Sequence, residues 1–275
     1  MKKVIDQLNH RFAGQLSLPS DQLKDRSAVE VLANHASCRH YTDQPVSPEL
    51  VELVCALALA APAKSDLQQR DIILIEDKDK RQRMNELMRH DWIASAPVFV
   101  VFCANNRRQT QIHEWRDKTF ANDHLDAFFN ASVDAGIVLQ NFVIAAQALG
   151  LGCCPLSAIR FHLDEVNEML ALPDRVFPVA GMTLGWPAKQ SDISLRLPLE
   201  ATLHRNRYHE EEMESHIDNY DRHRSEIQPS TRQRYASEFG EVDTYGWSED
   251  KARQYAKPER ADFGAYIDKK GFRLE

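Results

Sequence analysis

The stretch NASVDAGIVLQNFVIAAQALGLGCCPLSAIR, residues 130–160, is the part of the sequence on which the fold depends most. Residues 130–149 are apolar on nearly every side, which predicts a long buried helix over Asn130–Leu149. Gly150 and Gly152 follow at once and predict the end of that helix. Leu151–Leu156 then predicts a strand, so a buried helix leads directly into a sheet.

Three further short runs predict strands. They are rich in β-branched and aromatic residues and nearly continuously apolar, as strands covered on both faces are: RDIILIE over Arg70–Glu76, PVFVVFCA over Pro97–Ala104 and FPVAGMTLG over Phe177–Gly185. A second buried helix is predicted to begin at Ser47-Pro48, a hydroxyl N-cap followed by proline at the first helical position, and to end at Pro62. Shorter helices are predicted over Ser27–His35, Asp79–Arg89 and Asp164–Leu170.

The composition excludes several classes of protein. The chain has 275 residues, enough for one large domain or one domain plus an appendage. Its net charge of -7 argues against a sequence-independent nucleic-acid binder, which needs a basic surface. We expect no membrane-spanning helix, because no stretch of 18 residues is wholly apolar, and no secretory signal, because the first residues lack an apolar region. The odd number of cysteines gives no disulfide framework and predicts a reduced, cytoplasmic chain.

The composition changes after about residue 203. From His204 to Asp262 there is no leucine and charges dominate, so we expect no second core there. The segment is predicted to be an extended excursion over another surface or partly disordered. Its aromatic residues argue against disorder throughout, because they bury a large area when they dock. The final FGAYIDKKGFRLE predicts a short helix, a glycine break and a tail.

Two polar clusters in the first third of the chain are candidate ligand sites. His35, Ser37 and Arg39 follow a predicted helix, and a guanidinium beside a hydroxyl suits a phosphate or carboxylate. The loop with Lys64, Ser65 and Gln68 joins a buried helix to a strand and could hydrogen-bond the edge of a heteroaromatic ring. Taken alone, each cluster is better explained as a loop between secondary-structure elements than as a ligand site.

Two clusters later in the chain are similar in kind. The small residues of GLGCCPLSAIR, 150–160, would let the backbone approach a flat ligand, although the GxGxxG spacing of a dinucleotide site is absent. LGWP, 184–187, is followed by Arg196, which is either an anion ligand or a surface arginine. The scattered histidines form no HExxH pattern, so no metal site is predicted. Cys153 and Cys154 are predicted to be packing thiols rather than nucleophiles.

These short motifs are specific for one protein family when they occur together in this order, although no single motif is. HASCRHYTDQPVS, APAKSDLQ, LGLGCCPLSAIR, PVAGMTLGWPA, RLP and a late WS…GF ending follow one another along the chain. From about Arg26 to the C-terminus the sequence resembles the flavin-dependent nitroreductase family. It is most similar to the branch of NADPH-dependent oxygen-insensitive nitroreductases and flavin reductases, and residues 205–243 match most loosely.

The resemblance implies an α+β nitroreductase fold, with a central mixed sheet flanked by helices in a domain-swapped homodimer. The long apolar helix would lie in the dimer interface, where two FMN molecules bind. We therefore expect an N-terminal extension over residues 1–25 and an FMN-binding core over residues 26–203. Residues 204–275 would form a charged excursion and a C-terminal arm that embraces the partner.

The resemblance also implies which residues bind the cofactors. Carried over residue by residue, the FMN-binding positions of the first motif are His35, Ser37 and Arg39, and those of the second are Ala63, Ser65 and Gln68. The backbone groups of Leu156, Ser157 and Ala158 would face the isoalloxazine ring. Arg196 would bind the phosphate. Lys64 would place positive charge near the N1 side of the flavin. Arg232 and Arg234 are candidates for the 2′-phosphate of NADPH, and no catalytic acid or base is assigned.

The sequence departs from the pattern of that branch at several positions. Ala36 stands where an arginine is usual, and Ser194 stands where a lysine is usual. Ala63 replaces a common serine, and Ser157-Ala158 replaces a Gly-Gly pair. The loss of two cations would weaken FMN phosphate binding or change the hydride donor.

The implied function is that of an FMN-dependent NAD(P)H oxidoreductase. NADPH or NADH would give a hydride to FMN N5 and leave. A nitroaromatic, a quinone or free flavin would then take its place, in a ping-pong reaction. One alternative is a flavin-binding or interaction protein of the same fold without significant turnover, which the missing cations suggest. Another is a specialised FMN enzyme, such as a reductive dehalogenase-like or ring-modifying member.

Overall fold

Four strands form one sheet in the order β1-β2-β4-β3. The computed structural model describes residues 28–275, and the predicted extension over residues 1–25 lies outside them. The strands are β1 Arg70–Leu74, β2 Val98–Asn105, β3 Gly152–Leu156 and β4 Val176–Gly185. All four strands that the apolar runs predict are therefore present, with bounds within two residues of those expected.

The pairing within the described residues is antiparallel throughout, where a mixed sheet is expected. Ile73 lies opposite Val101, Val101 lies opposite Gly181, and Gly181 lies opposite Leu156. Nearly every residue of β2 and β4 is buried. Burial of both faces, and not the direction of the strands, therefore produces their continuous apolar pattern.

Eight helices of the described chain surround this sheet. They are α1 Ala28–Ala33, α2 Pro48–Leu59, α3 Lys78–Met88, α4 Asp91–Ala94, α5 Arg107–Trp115, α6 Leu125–Ala148, α7 Leu163–Met169 and, near the C-terminus, α11 Phe263–Lys269. The start of α2 is confirmed, because the Ser47 side chain accepts a hydrogen bond from the amide of Leu50 and Pro48 occupies the first helical position. The short helix α4 and the nine-residue helix α5 are not predicted from the sequence.

The long helix α6 lies at the centre of the main core. It packs on α2 and on the sheet, and the ring of its Phe142 meets that of Phe102 edge-on, with the centroids 5.3 Å apart. It begins at Leu125 rather than Asn130, because the His124 side chain caps the amide of Asp126. It ends at Ala148, and Gly150 terminates it as predicted, with a φ of 82° that is the left-handed conformation glycine adopts without strain.

Helix α6 is also the one helix of residues 28–275 that is long and apolar enough to cross a membrane by length and composition. Core helices pass the same test, so this is weak evidence of a membrane span. Here α6 packs on the sheet, and its Asp134 is fully buried.

The chain divides into two compact units. One consists of the residues up to Ile193 together with Asp262–Glu275, and the other is Ser194–Ala261. The last residues return to the first unit, where Phe272 packs against Phe177 with the centroids 5.5 Å apart. The second unit therefore begins before residue 204 and ends before the C-terminal helix.

The unit Ser194–Ala261 is neither extended nor disordered, which corrects the interpretation of its composition. It contains α8 Met213–Ile227, α9 Ala236–Phe239 and α10 Trp247–Tyr255. Tyr220 and Trp247 meet edge-on at 5.4 Å. The Arg253 side chain, 3% exposed, donates to the carbonyls of Arg234 and Gly240 and to the Glu249 carboxylate. Aromatic rings and a buried arginine replace the aliphatic core that leucines would provide.

Candidate functional site

The backbone after α1 lies along the edge strand β3 and the loop that follows β4. The Cys38 amide donates to the Cys153 carbonyl at 2.9 Å, and the Thr42 amide donates to the Trp186 carbonyl at 2.9 Å. Gly152 permits this approach, because a Cβ built there would lie 2.6 Å from the Cys38 Sγ. Three of the clusters that the sequence singles out are therefore neighbours in the fold: residues 35–39, 150–160 and 184–187.

Ser37 and Arg39 lie on either side of Cys38, near enough to the Cys154 thiol to influence its pKa. Burial raises the pKa of the Cys154 thiol, and the Arg39 charge and hydrogen bonds from Ser37 and Arg39 partly oppose that rise. Cys154 is 3% exposed, whereas Arg39 is exposed. The thiol is therefore neutral at neutral pH, and the guanidinium and hydroxyl beside it remain at the surface.

Among the described side chains of residues 28–275, which do not include those of Glu30 and Asp91, no carboxylate pairs with the Arg39 guanidinium, and this guanidinium lies over the Trp92 ring at 5.8 Å from the centroid. A planar cation beside a hydroxyl, without a competing carboxylate, is the donor set that a phosphate group requires. The residues of this edge thus fit the phosphate end of FMN.

His35 and Ala36 are fixed to the C-terminal end of α6. The His35 Nδ1 lies 3.1 Å from the Gln147 Oε1, and the Gln147 Nε2 donates to the Ala36 carbonyl at 3.2 Å. The half-buried His35 is therefore held by the core helix instead of projecting freely. Gln147 is a positioning residue that the sequence alone does not identify.

The residues expected against the isoalloxazine ring follow β3 directly. Leu156 is buried at the end of the strand, and Ser157–Phe161 continues as a single 3₁₀ turn. Ser157 is exposed and Ala158 is half-buried. This backbone emerges from the same edge strand that carries Cys153 and Cys154, so it is continuous with the Ser37–Arg39 surface.

The loop of Lys64, Ser65 and Gln68 lies elsewhere on the sheet. It leads into β1, whereas the Ser37–Arg39 segment lies along β3. These are the two edge strands, three strand spacings or about 14 Å apart. Their anchors on α6, Asp134 and Gln147, are thirteen residues or about 20 Å apart. Within one chain the first and second motifs are therefore not brought together.

This loop is strained and held by side chains from two helices. Ser65, Asp66 and Gln68 have φ values of 49°, 55° and 52°, which residues other than glycine seldom adopt. The buried Asp134 accepts hydrogen bonds from the amides of Lys64 and Gln69, both at 3.0 Å.

From α5, two side chains hold the same loop by its carbonyl groups. Arg108 donates to the carbonyl of Gln68, and Gln109 donates to that of Leu67 at 2.8 Å. Arg108 also pairs with Asp71 at 2.7 Å. The sequence gives no signal for these contacts, because α5 itself is not predicted.

The three candidate ligand arginines of the second unit, Arg196, Arg232 and Arg234, differ in their surroundings. Arg196 is exposed and donates to the carbonyls of Ser194 and Leu195, both at 3.1 Å. Arg234 is engaged, because its Nε lies 3.3 Å from the Asp250 carboxylate. Arg232 is exposed and lines a cavity of about 850 Å³ with Ser230, Thr231 and Tyr245.

No group of three or more histidine, cysteine, aspartate or glutamate side chains that could hold a metal ion occurs within residues 28–275. All five cysteines are free thiols. Burial raises the pKa of Cys103 to about 12, and it also raises the pKa values of Cys38 and Cys153. None of these thiols is an activated nucleophile at neutral pH.

Comparison with known proteins identifies the family. The sequence profile of the "Nitroreductase family" matches residues 32–186, and that of the "Nitroreductase family, C-terminal domain" matches residues 194–275. The chain belongs to the nitroreductase family. The family predicted from the ordered motifs is thereby confirmed, and residues 28–275 have the α+β nitroreductase fold predicted with it, with an antiparallel sheet in place of a mixed one.

Individual nitroreductases agree with this assignment over most of their length. An "FMN reductase [NAD(P)H]" of Bacillus subtilis is 34% identical, over 90% of this chain and 98% of the relative. An "Oxygen-insensitive NADPH nitroreductase" of Salmonella typhimurium is 33% identical, over 89% of this chain and 97% of the relative. The solved structure of B. megaterium NfrA2 matches with a TM-score of 0.82 at 33% identity, over 91% of this chain and 100% of the other.

Proposed function

We propose that this nitroreductase is an FMN-dependent NAD(P)H oxidoreductase. The observation that carries the proposal is the pair Ser37 and Arg39, placed by the Cys38–Cys153 hydrogen bond beside the backbone of Leu156–Ala158. When bound, FMN accepts a hydride from a reduced nicotinamide and passes it to an electron-poor acceptor. The named relatives, an FMN reductase and a nitroreductase, support this chemistry.

The protein's own residues bind and orient. Ser37 and Arg39 would donate to the phosphate of a bound FMN, and His35 is held in place by its contact with Gln147. The backbone of Leu156, Ser157 and Ala158 would face the ring. Arg196 remains a prediction for the phosphate. No side chain is assigned as a general acid or base, since the buried thiols beside the site have raised pKa values.

The second motif reaches a flavin by dimerisation. Ala63, Lys64, Ser65 and Gln68 lie at the far edge of the sheet from Arg39, so a second copy of the chain would supply them. Helix α6 offers a surface for that copy. Leu125, Phe129 and Val133 are spaced by four residues along α6 and are 48%, 60% and 40% exposed. A contiguous apolar stripe of this kind is typical of an interface.

The electron donor and acceptor follow the nitroreductase branch that the sequence resembles. Of the two arginines expected at the 2′-phosphate of NADPH, Arg234 already pairs with Asp250, so Arg232 is the one available to a dianion. The acceptor is a small molecule of the nitroaromatic, quinone or free-flavin type. The free thiols agree with a reducing compartment, and we place the protein in the cytoplasm.

The alternative without turnover has its own supporting observation. Ala36 provides only a backbone carbonyl, which Gln147 occupies, and Ser194 is an exposed serine. Arg39 is then the single cation of the first motif. A phosphate site weakened in this way would bind FMN less tightly, and a protein that holds FMN weakly or not at all would show no significant turnover.

One experiment separates these possibilities. The purified protein should be yellow, with one FMN per chain, and NADPH added under anaerobic conditions should bleach the flavin absorbance rapidly. Flavin that is bound but bleaches only slowly would favour the protein without turnover. A colourless protein whose melting temperature does not rise on adding FMN would contradict the oxidoreductase and leave an interaction protein that binds no flavin, because a ligand that binds the native state stabilises it.

A further inference from the structure

Asp134 occupies an unusual place in the apolar helix α6. Its side chain is fully buried, and each carboxylate oxygen accepts one backbone amide, Oδ1 from Lys64 and Oδ2 from Gln69, both at 3.0 Å. Burial lowers the pKa of the neighbouring Arg70 guanidinium, and the charge of Asp134 opposes that change. The carboxylate is thus satisfied by groups at the two ends of a single loop.

The loop between these two amides would not hold its shape unaided. Three of its residues, Ser65, Asp66 and Gln68, have positive φ and none of them is glycine. Such conformations are destabilising and persist only where surrounding contacts impose them. Charge-assisted hydrogen bonds to Lys64 and Gln69 are contacts of the required strength, and they fix the distance between the ends of the loop.

We propose that Asp134 is a positioning residue for the flavin ring. It holds loop 64–69 in the strained conformation in which Lys64, Ser65 and Gln68 are presented to the cofactor. The inference rests on the proposed function, since it assumes that FMN is the ligand. It adds a role for a residue that touches no flavin atom and acts through the backbone of the second motif.

The variant Asp134→Asn tests this geometry with little change of volume. The amide keeps one oxygen acceptor, but its NH₂ group faces a backbone amide, so one of the two hydrogen bonds is replaced by two opposed donors. Without this hydrogen bond, loop 64–69 should bind the isoalloxazine ring less tightly. We expect the affinity for FMN and for riboflavin to fall by the same factor, at least tenfold.

Equal loss for both flavins separates this role from that of the phosphate site. An effect confined to FMN would place Asp134 with the phosphate ligands and overturn the inference. Native-state hydrogen exchange of the apoprotein supplies a second readout: the amides of Lys64 and Gln69 should be protected in the wild type and exchange faster in Asp134→Asn. Sedimentation should show an unchanged assembly state, and loss of the assembly would overturn the inference in favour of a role in the interface.

A second pair of variants covers the case in which Asp134→Asn does not fold. Lys64 is the first residue of a 3₁₀ turn, and Ala63 before it has φ -134° and ψ 153°, a conformation that a following proline accepts. Lys64→Pro removes the amide that Asp134 binds, whereas Lys64→Ala keeps it. Both lose the lysine charge, so weaker binding of riboflavin by Lys64→Pro than by Lys64→Ala is the expected result.

The possible outcomes distinguish failure of this inference from failure of the proposed FMN-dependent function. A wild type that binds neither flavin overturns the proposed function and the inference together. A wild type that binds both flavins, with folded Asp134→Asn or Lys64→Pro binding as tightly as their controls, overturns the inference alone.

Discussion

The Cys38 amide donates to the Cys153 carbonyl at 2.9 Å, and this bond joins two segments that lie more than a hundred residues apart in the sequence. Because Cys38 faces β3 through its backbone, its neighbours Ser37 and Arg39 flank that strand and meet the Cys154 side chain. The proposed phosphate end of the site thus lies on a sheet edge, which is more rigid than a free loop.

The first prediction concerns Arg39. Arg39→Ala should lower the affinity for FMN at least tenfold and change the affinity for riboflavin little. A charge-assisted hydrogen bond contributes about 1.5–3 kcal/mol, and riboflavin has no phosphate to accept it. Titration of apoprotein with each flavin measures the ratio. Arg83→Ala, which removes an exposed charge on α3, is the matched control. Equal losses for the two flavins would mean that Arg39 acts on the fold.

The second prediction concerns the exposed stripe of α6. Phe129→Glu places a charge in an apolar surface, so the dimer should dissociate and release its flavin. Sedimentation velocity and the bound-flavin absorbance report both effects. Leu32→Glu, at a residue of similar exposure on α1, should leave the dimer intact. A wild-type monomer that retains FMN would exclude dimerisation as the source of the second motif.

The third prediction concerns the choice of electron donor. Arg232→Ala should lower the ratio of kcat/KM for NADPH over NADH by about tenfold, because the guanidinium recognises a phosphate dianion far better than a hydroxyl. The measurement uses one quinone acceptor throughout. Arg222→Ala, an exposed charge on α8, should leave the ratio unchanged. If the wild type shows no preference, the assignment of Arg232 is wrong.

The fourth prediction concerns acid stability. Burial alone would raise the pKa of Asp250, but hydrogen bonds from Lys251, Tyr245 and Arg234 outweigh it and lower that pKa to about 2. A carboxyl whose pKa is lower in the folded state stabilises the fold above the unfolded pKa of about 3.9, and loses that contribution as pH falls toward 2.

After allowance for solvent screening, the contribution of Asp250 to the free energy of unfolding is about 1 kcal/mol. The free energy of unfolding of the wild type should therefore be about 1 kcal/mol higher than that of Asp250→Asn at pH 6. The difference should vanish near pH 2, measured by urea unfolding at each pH. A difference that does not depend on pH would show that the ion pairs of Asp250 are not its source.

Much of the fold follows from local signals in the sequence. Ser47-Pro48 starts α2 and Gly150 ends α6, because capping depends on the residue at one position. The strands follow from short apolar runs. The antiparallel direction of the strands cannot be predicted from these runs, since burial on both faces gives the same apolar pattern in parallel and antiparallel sheets.

The second motif shows what sequence patterns miss. Ser65 and Gln68 can be proposed as ligands from the order of motifs, but neither their positive φ values nor the hydrogen bond that holds their loop to Asp134, a single acidic residue within an apolar helix, can be predicted in this way. The contacts of Arg108 and Gln109 depend on α5, whose residues are mostly polar. Long-range side-chain to backbone bonds of this kind leave no periodic trace.

The segment after residue 203 was misjudged for a different reason. Hydropathy weighs leucine heavily, whereas the unit Ser194–Ala261 packs around Tyr220, Trp247 and the Arg253 guanidinium. The arginine stem and aromatic rings supply buried area that a count of aliphatic residues does not detect.

Helix α6 bears on which changes of chain length the protein can tolerate. Gln147 holds the backbone of the first motif and Asp134 that of the second. One residue inserted between them would turn the two side chains by about 100° relative to each other and move them about 1.5 Å further apart. At least one of the two attachments would then be lost. Insertions and deletions should therefore be excluded from residues 135–146, as they should from the two attached segments themselves, residues 35–39 and 64–69.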